Sequence, residues 1–123
     1  MGLQFENLVL NNRKSIQELL HLTDNDIINE NPYFQRQTKS HKGCQIDYMI
    51  QTRFNTLYII EMKFLKSKVG MSIIDEMQAK IDAIKLPRGM SIRTALIHVN
   101  GVTKELLESN FFGDIIDINS LLY

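Results

Sequence analysis

The chain has 123 residues, of which 44% are hydrophobic and 23% are charged, and its formal net charge is zero. This length predicts a single domain over residues 1–123, and the composition is typical of a soluble globular protein, which excludes a disordered chain. The single cysteine excludes an internal disulfide and a thiolate-rich zinc site. We expect a cytoplasmic protein without a membrane partner, because the chain shows no long apolar stretch and no signal-peptide pattern.

The predicted elements begin with helix. Apolar residues recur at helical spacing and predict one or two amphipathic helices over residues 2–21, with a break near Asn11 and Asn12. A first strand is predicted over residues 32–38 and is followed by a polar turn. Residues 44–51 and 57–64 then predict the two strands of a hairpin.

The hairpin loop determines which side chains share a face of the sheet. If residues 53–55 form a three-residue loop, with Asn55 in the left-handed conformation, Asp47 lies opposite Glu61. A two-residue loop would shift the register by one and place Asp47 on the other face. A site that uses both carboxylates therefore depends on the longer loop.

The three-residue loop also predicts the composition of both faces. The polar face carries Gln45, Asp47, Glu61 and Lys63, and it continues inward through Met49, Leu57 and Ile59. The other face is an apolar layer of Ile46, Tyr48, Ile50, Tyr58, Ile60 and Met62.

A clear helix follows Gly70 and ends before Pro87. Its apolar stripe consists of Ile73, Ile74, Met77, Ile81 and Ile84, and Gln78 borders that stripe. Residues 92–99 predict a buried strand, residues 102–109 a short helix and residues 115–118 a last small strand. This order predicts an α/β domain with a mixed sheet, in which a helix connects the third and fourth strands in a parallel crossover.

Three charged residues lie inside these predicted strands: Asp47, Glu61 and Lys63. Burying such groups is costly unless they are paired, hydrogen-bonded or bound to a metal. Two facing carboxylates repel each other, and a bound cation is the simplest way to replace this repulsion by attraction. The residues therefore predict a divalent-cation site that cuts phosphodiesters, although a same-face ion pair between Glu61 and Lys63 remains an alternative.

The charges along the chain are compatible with such a substrate. Residues 36–93 carry eleven basic and five acidic side chains, whereas both ends of the chain are net negative. A locally positive surface is what a polyphosphate backbone requires for binding. Solvated faces of helices and strands produce the same pattern, so the charge distribution leaves both interpretations open.

The order of these residues resembles that of the PD-(D/E)xK nuclease superfamily. The resemblance rests on Glu6 in the first helix, Asp47 in the second strand, Glu61-Met62-Lys63 in the third strand and Gln78 in the following helix. It spans residues 2–99 and implies an αβββαβ core with a mixed central sheet flanked by helices, the restriction-endonuclease-like fold. Residues 2–6, 43–48 and 96–101 also resemble the C-terminal domain that follows ATPase modules in some prokaryotic proteins.

The resemblance implies a role for each of these residues. The metal ligands that it implies for Mg²⁺, with Mn²⁺ as a substitute, are Asp47, Glu61, Glu6 and the backbone carbonyl of Met62. Lys63 would position or help to deprotonate the attacking water, and Gln78 would orient Lys63, a water or a phosphate. Ile46 stands where the name of the motif has proline.

Two functions follow from this resemblance. The first is a Mg²⁺-dependent nuclease that hydrolyses phosphodiester bonds of nucleic acid, DNA rather than RNA, with Asp47, Glu61, Lys63 and Gln78 as its catalytic residues. The alternative is a nuclease-like module without turnover that serves as a binding or regulatory domain of an ATPase. A homodimer is a further candidate assembly, since members of this superfamily often dimerise.

Overall fold

Five strands form one mixed sheet in the computed structural model, which describes residues 11–39, 42–84 and 89–121. The elements in chain order are α1 (Arg13–Leu19), a 3₁₀ turn (Asp24–Asp26), β1 (Ile27–Gln35), β2 (Cys44–Thr52), β3 (Thr56–Lys63), α2 (Ser72–Ala83), β4 (Ser91–His98), α3 (Lys104–Ser109), β5 (Asp114–Asp117) and a 3₁₀ turn (Ile118–Leu121). Within these described ranges, no helix has the length and apolar character needed to cross a membrane.

The strands are arranged in the order β1-β2-β3-β4-β5. The pairs β1–β2 and β2–β3 are antiparallel, whereas β3–β4 and β4–β5 are parallel. Parallel neighbours need a long crossover, which α2 supplies between β3 and β4. The predicted α/β domain with a mixed sheet is confirmed.

Each face of the sheet has its own hydrophobic core. One core joins the sheet to α1 and is formed by Ile16, Leu20, Tyr48, Ile50, Ile60, Met62, Ala95, Ile97, Ile116 and Ile118. The other core joins the sheet to α2 and α3 and is formed by Ile46, Leu57, Ile59, Val69, Ile73, Met77, Leu96, Leu106 and Phe112. Residues that alternate along β3 therefore enter different cores, as the period of a strand requires.

The β2–β3 hairpin has the register expected for a three-residue loop. Tyr48 pairs with Ile60 and Gln51 pairs with Leu57. Asn55 has a φ of 57°, which is the left-handed conformation predicted for the end of the loop. The side chains of β3 that follow Leu57 and Ile59 on the same face are therefore Glu61 and Lys63.

The predicted alternation along β2 is wrong at Ile46, which packs in the α2 core and not with Tyr48 and Ile50. The pairing of β1 with β2 explains the difference. Asn31 pairs with Met49, but Tyr33 pairs with Ile46, so β2 contains one more residue than β1 between these two pairs. Such a bulge reverses the alternation of the residues beyond it. It lies at Asp47, directly beside the predicted site.

The first strand begins earlier than the predicted residues 32–38, because β1 spans Ile27–Gln35. The residues that the prediction missed, 27–31, include two asparagines, which are unfavourable for strands and made the sequence pattern weak there. Pro32 lies at the register shift and in the edge strand of the sheet, where its missing N–H disturbs the ladder least. The edge position therefore permits a strand that its local sequence does not favour.

Candidate active site

Asp47 and Glu61 come together beside the bulge in β2. The Oδ2 atom of Asp47 accepts a hydrogen bond of 2.9 Å from the backbone N–H of Met62, which fixes the aspartate against β3. Glu61 precedes Met62, and its side chain hydrogen-bonds to that of Asp47. The two carboxylates thus meet, although the regular pairing of β2 with β3 ends before them, at Tyr48 and Ile60.

The environment of Glu61 strongly disfavours its negative charge. Its side chain is only 5% exposed. Burial is the main factor that raises its pKa, and the hydrogen bond and negative charge of Asp47 raise it further, while Lys80 opposes both. The result is a pKa of about 8. Without a bound cation, the pair of carboxylates therefore holds a proton at neutral pH.

Lys80 of α2 provides the positive charge next to this pair. Its Nζ donates a hydrogen bond of 2.6 Å to Oε2 of Glu61. The Lys80 side chain is 26% exposed, so it reaches the buried carboxylate from the solvent side. Because the ammonium lowers the pKa of Glu61 but does not outweigh burial and Asp47, the site lacks the charge needed to ionise both acids.

Lys63 makes a second ion pair between β3 and α2. Its Nζ lies 3.1 Å from Oε2 of Glu76. Glu61 and Lys63 lie two residues apart on the strand, and Glu76 and Lys80 lie four residues apart on the helix. The two elements therefore present complementary charge pairs to each other, with each acid facing the base of the other element.

Lys80 and the Lys63–Glu76 pair line an open cleft of about 420 Å³ between α2 and the start of β2. Its walls include Lys42, Lys63 and Lys80 together with Glu76 and Cys44. With three lysines and one glutamate, the lining of the cleft carries a net positive charge. Such a lining can bind a phosphate group.

Gly43 lies at one side of the cleft, at a position that leaves no room for a side chain. A Cβ atom at this position would lie 3.0 Å from the carbonyl oxygen of Gln35 and 3.0 Å from the backbone nitrogen of Gln37. The Gln35 side chain holds the same region by donating to the carbonyls of Lys42 and Ala83, both at 2.6 Å. The chain before β2 is thus packed tightly against β1 and the end of α2.

Other predicted site residues are placed differently. Gln78 is exposed and donates a hydrogen bond of 3.0 Å to Asp82, so the structure does not bring it to the carboxylates. The Met62 side chain is buried in the α1 core, and its N–H holds Asp47. Glu6 lies outside the described residues.

Sequence reasoning missed Lys80 and Glu76. Lys80 follows the buried Met77 by three residues, which places it next to the sheet-facing stripe of α2. Glu76 and Lys80 also have the i,i+4 spacing that puts both on one side of a helix. This spacing was visible in the sequence, but only the packing of α2 over β3 shows which acids and bases meet.

A network on the opposite face supports the strand that carries Asp47. Gln17 of α1, which is buried, donates hydrogen bonds to Glu30 at 2.8 Å and to the Tyr48 hydroxyl at 2.9 Å. The Tyr48 hydroxyl in turn donates to Glu30 at 3.0 Å, and burial raises the pKa of Tyr48. These bonds tie α1, β1 and β2 together at the residue directly after Asp47.

The carboxyl ends of the parallel strands place Lys63, His98 and Asp117 in one row across the sheet. His98 is buried, and its Nδ1 accepts a hydrogen bond of 3.1 Å from the N–H of Gly101. Burial lowers the pKa of His98, although the negative charge of Asp117 opposes this. The neutral imidazole thus holds the turn that follows β4.

The acidic side chains of the site can be judged by what a magnesium ion requires of its ligands. Among the described residues, no group of three or more His, Cys, Asp and Glu side chains is arranged to hold a metal. Magnesium is nevertheless commonly bound by one or two carboxylates and completes its shell with waters and substrate phosphates. Asp47 and Glu61, which lie together, supply two carboxylates of this kind. The donor set therefore fits a hard divalent cation.

Comparisons with known proteins support the fold. No protein-family model matches the sequence, and no curated protein matches it either. The structure is similar to the crystal structure of a repair endonuclease from Pyrococcus abyssi, with a TM-score of 0.57 and 19% sequence identity. The match covers 92% of this chain and 44% of that chain, so this chain spans less than half the length of its neighbour.

At this level of identity the similarity establishes the fold. The mixed five-stranded sheet with flanking helices is the restriction-endonuclease-like fold that the sequence resemblance implied, and that expectation is confirmed. The chain thus has a nuclease-like fold in which two acids and two lysines meet between β3 and α2.

Proposed function

We propose that this domain is a Mg²⁺-dependent nuclease of the PD-(D/E)xK type that hydrolyses phosphodiester bonds in DNA, with Mn²⁺ as a substitute. The observation that carries the proposal is the meeting of Asp47 with a buried Glu61, whose partner Lys80 lines a lysine-rich cleft. The similarity to a repair endonuclease supports a nuclease-like function, and DNA is the substrate that we propose.

Asp47 and Glu61 would hold the cation. Glu6 and the backbone carbonyl of Met62 are the further ligands that the superfamily pattern implies. The bound ion would supply a Lewis acid for the phosphate and lower the pKa of a coordinated water. Asp47 is already oriented for ligation, because the N–H of Met62 fixes one of its oxygens.

The lysines would bind and polarise the substrate. Lys42 and Lys63 line the same cleft as Lys80 and can donate to phosphate oxygens. Charge that develops on the phosphate during attack by water would be stabilised by the Lys63 ammonium, which preorganised contacts hold in place. Glu76 orients Lys63 through their 3.1 Å ion pair. Gln78 would contribute only after its side chain leaves Asp82, to which it donates a hydrogen bond.

The test is cleavage of single-stranded, duplex and branched DNA, with RNA in parallel, in the presence of Mg²⁺ or Mn²⁺. We expect Asp47→Asn and Lys63→Ala each to reduce the rate by roughly a hundredfold or more, because each removes a group that acts on the transition state. Asp75→Asn is the matched control, since it removes an exposed carboxylate from the same helix that carries Lys80. Equal rates for the wild type and Asp47→Asn on every substrate would refute catalysis.

A second candidate is a nuclease-like module that binds or regulates an ATPase without turnover. The contact between Lys80 and Glu61 favours it, because an ammonium already compensates the buried acid. This candidate predicts stable association with an ATPase and no heat on titration with Mg²⁺. A measurable affinity for Mg²⁺ that depends on Asp47 would argue against it.

A further inference from the structure

Lys80 occupies the place of a cation at Glu61. Its Nζ lies 2.6 Å from Oε2 of the carboxyl group that the proposed function assigns to a metal ion. An ammonium at this distance repels a dication that binds to the same carboxylate, since both are cations. The ammonium and the metal therefore compete for one carboxylate.

The rest of the cleft determines where the ammonium goes when it leaves Glu61. The stem of Lys80 is rooted in α2 at the wall of the cleft, and its side chain is partly exposed. Glu76, which lies one helical turn before Lys80, is already engaged by Lys63 at 3.1 Å. The remaining direction is the open cleft, whose other basic wall residues are Lys42 and Lys63.

We infer that Lys80 is an exchangeable partner of Glu61, which donates to its carboxyl group in the metal-free protein and turns to a phosphate of the nucleic acid when a divalent cation binds. The inference rests on the proposed function, and the sequence motif assigns no role to Lys80. Metal binding thereby frees a positive charge for the substrate, so the cation and the nucleic acid strengthen each other's binding.

The first experiment measures cation affinity by calorimetric titration of the 123-residue chain with MnCl₂ at pH 8. We expect Lys80→Met to bind Mn²⁺ roughly tenfold more tightly than the wild type. The substitution removes a positive charge beside Glu61, and the repulsion from that charge acts more strongly on a dication than on a proton. Lys42→Met is the matched control, since it removes the same charge from the cleft wall, and we expect a smaller change. Lys80→Arg keeps the charge and should retain an affinity close to that of the wild type.

The second experiment measures binding of a fluorescent single-stranded oligonucleotide by anisotropy, with and without Ca²⁺, a hard oxygen-seeking ion. We expect Ca²⁺ to increase the affinity of the wild type at least severalfold more than that of Lys80→Met. Lys80→Gln is a second uncharged variant in case Lys80→Met fails to fold, and circular dichroism checks the fold of each protein.

The outcomes separate this inference from the proposed function. Equal Mn²⁺ affinities for Lys80→Met and Lys42→Met, or weaker binding by Lys80→Met, would overturn the exchange and leave the nuclease intact. An absence of Mn²⁺ binding in the wild type would instead overturn the metal dependence of the proposed function, and the exchange with it.

Discussion

The backbone N–H of Met62 donates a hydrogen bond of 2.9 Å to the carboxylate of Asp47. Through this bond, the residue next to Glu61 in β3 determines where the aspartate of β2 points. The bulge in β2 makes the bond possible, because it occurs where regular pairing with β3 ends at Tyr48 and Ile60. A local irregularity of the sheet thus brings two acids together.

The free energy of unfolding should depend on pH through Glu61. Its pKa rises from 4.5 to about 8 on folding, so the folded protein retains a proton that the unfolded chain loses between these values. Stability therefore falls as pH rises through this window, by roughly 1.4 kcal/mol per pH unit at most. Urea unfolding at pH 5, 6, 7 and 8 in the presence of a chelator measures the slope. Glu61→Gln should flatten it, and an unchanged slope in that variant would contradict the assignment.

Binding of Mg²⁺ should release a proton. At pH 7 Glu61 is mostly protonated and must ionise before it can ligate a cation, so we expect about one proton to be released for each Mg²⁺ bound. Calorimetry in two buffers of different ionisation enthalpy measures the number of protons released, which should approach zero above pH 9. Asp47→Asn should abolish binding, whereas Glu76→Gln, which changes an acid in the same cleft outside the ligand set, should retain it. Proton release that is independent of pH would point to another group.

Gly43→Ala should destabilise the chain by about 1–3 kcal/mol, because the new methyl group would clash with the backbone of Gln35 and Gln37 at 3.0 Å. Gly70→Ala is the control. Its Cβ would lie 3.8 Å from a methyl group of Thr103, an ordinary contact. Thermal unfolding of both variants checks the difference, and equal melting temperatures would show that the segment before β2 can shift.

Tyr48→Phe should lower the free energy of unfolding by about 1–3 kcal/mol. The hydroxyl accepts from the buried Gln17 and donates to Glu30, so its removal leaves both with one partner fewer. Tyr58→Phe, half-buried on the same face, is the comparison. Chemical denaturation measures both variants. A loss in Tyr48→Phe no greater than in Tyr58→Phe would mean that water replaces the hydroxyl at no cost.

Most of the fold could be predicted because its signals are local. The helix over Ser72–Ala83 has a regular apolar stripe, and the loop that ends at Asn55 fixes the hairpin register through one residue that tolerates a positive φ. The start of β1 could not be predicted in this way. Ile27 and the residues after it form a strand because β2 offers them a partner, and this overrides their weak strand propensity.

The sequence by itself determined the alternation in β3, since the period of a strand is a property of the local chain, and it predicted that Asp47 and Glu61 share a face if the loop has three residues. Only the tertiary structure decided that Ile46 leaves the expected face, that Lys80 contacts Glu61, and that Lys63 contacts Glu76. The physical reason is that a bulge depends on the neighbouring strand, and that charges on a helix find their partners only when the helix packs on the sheet.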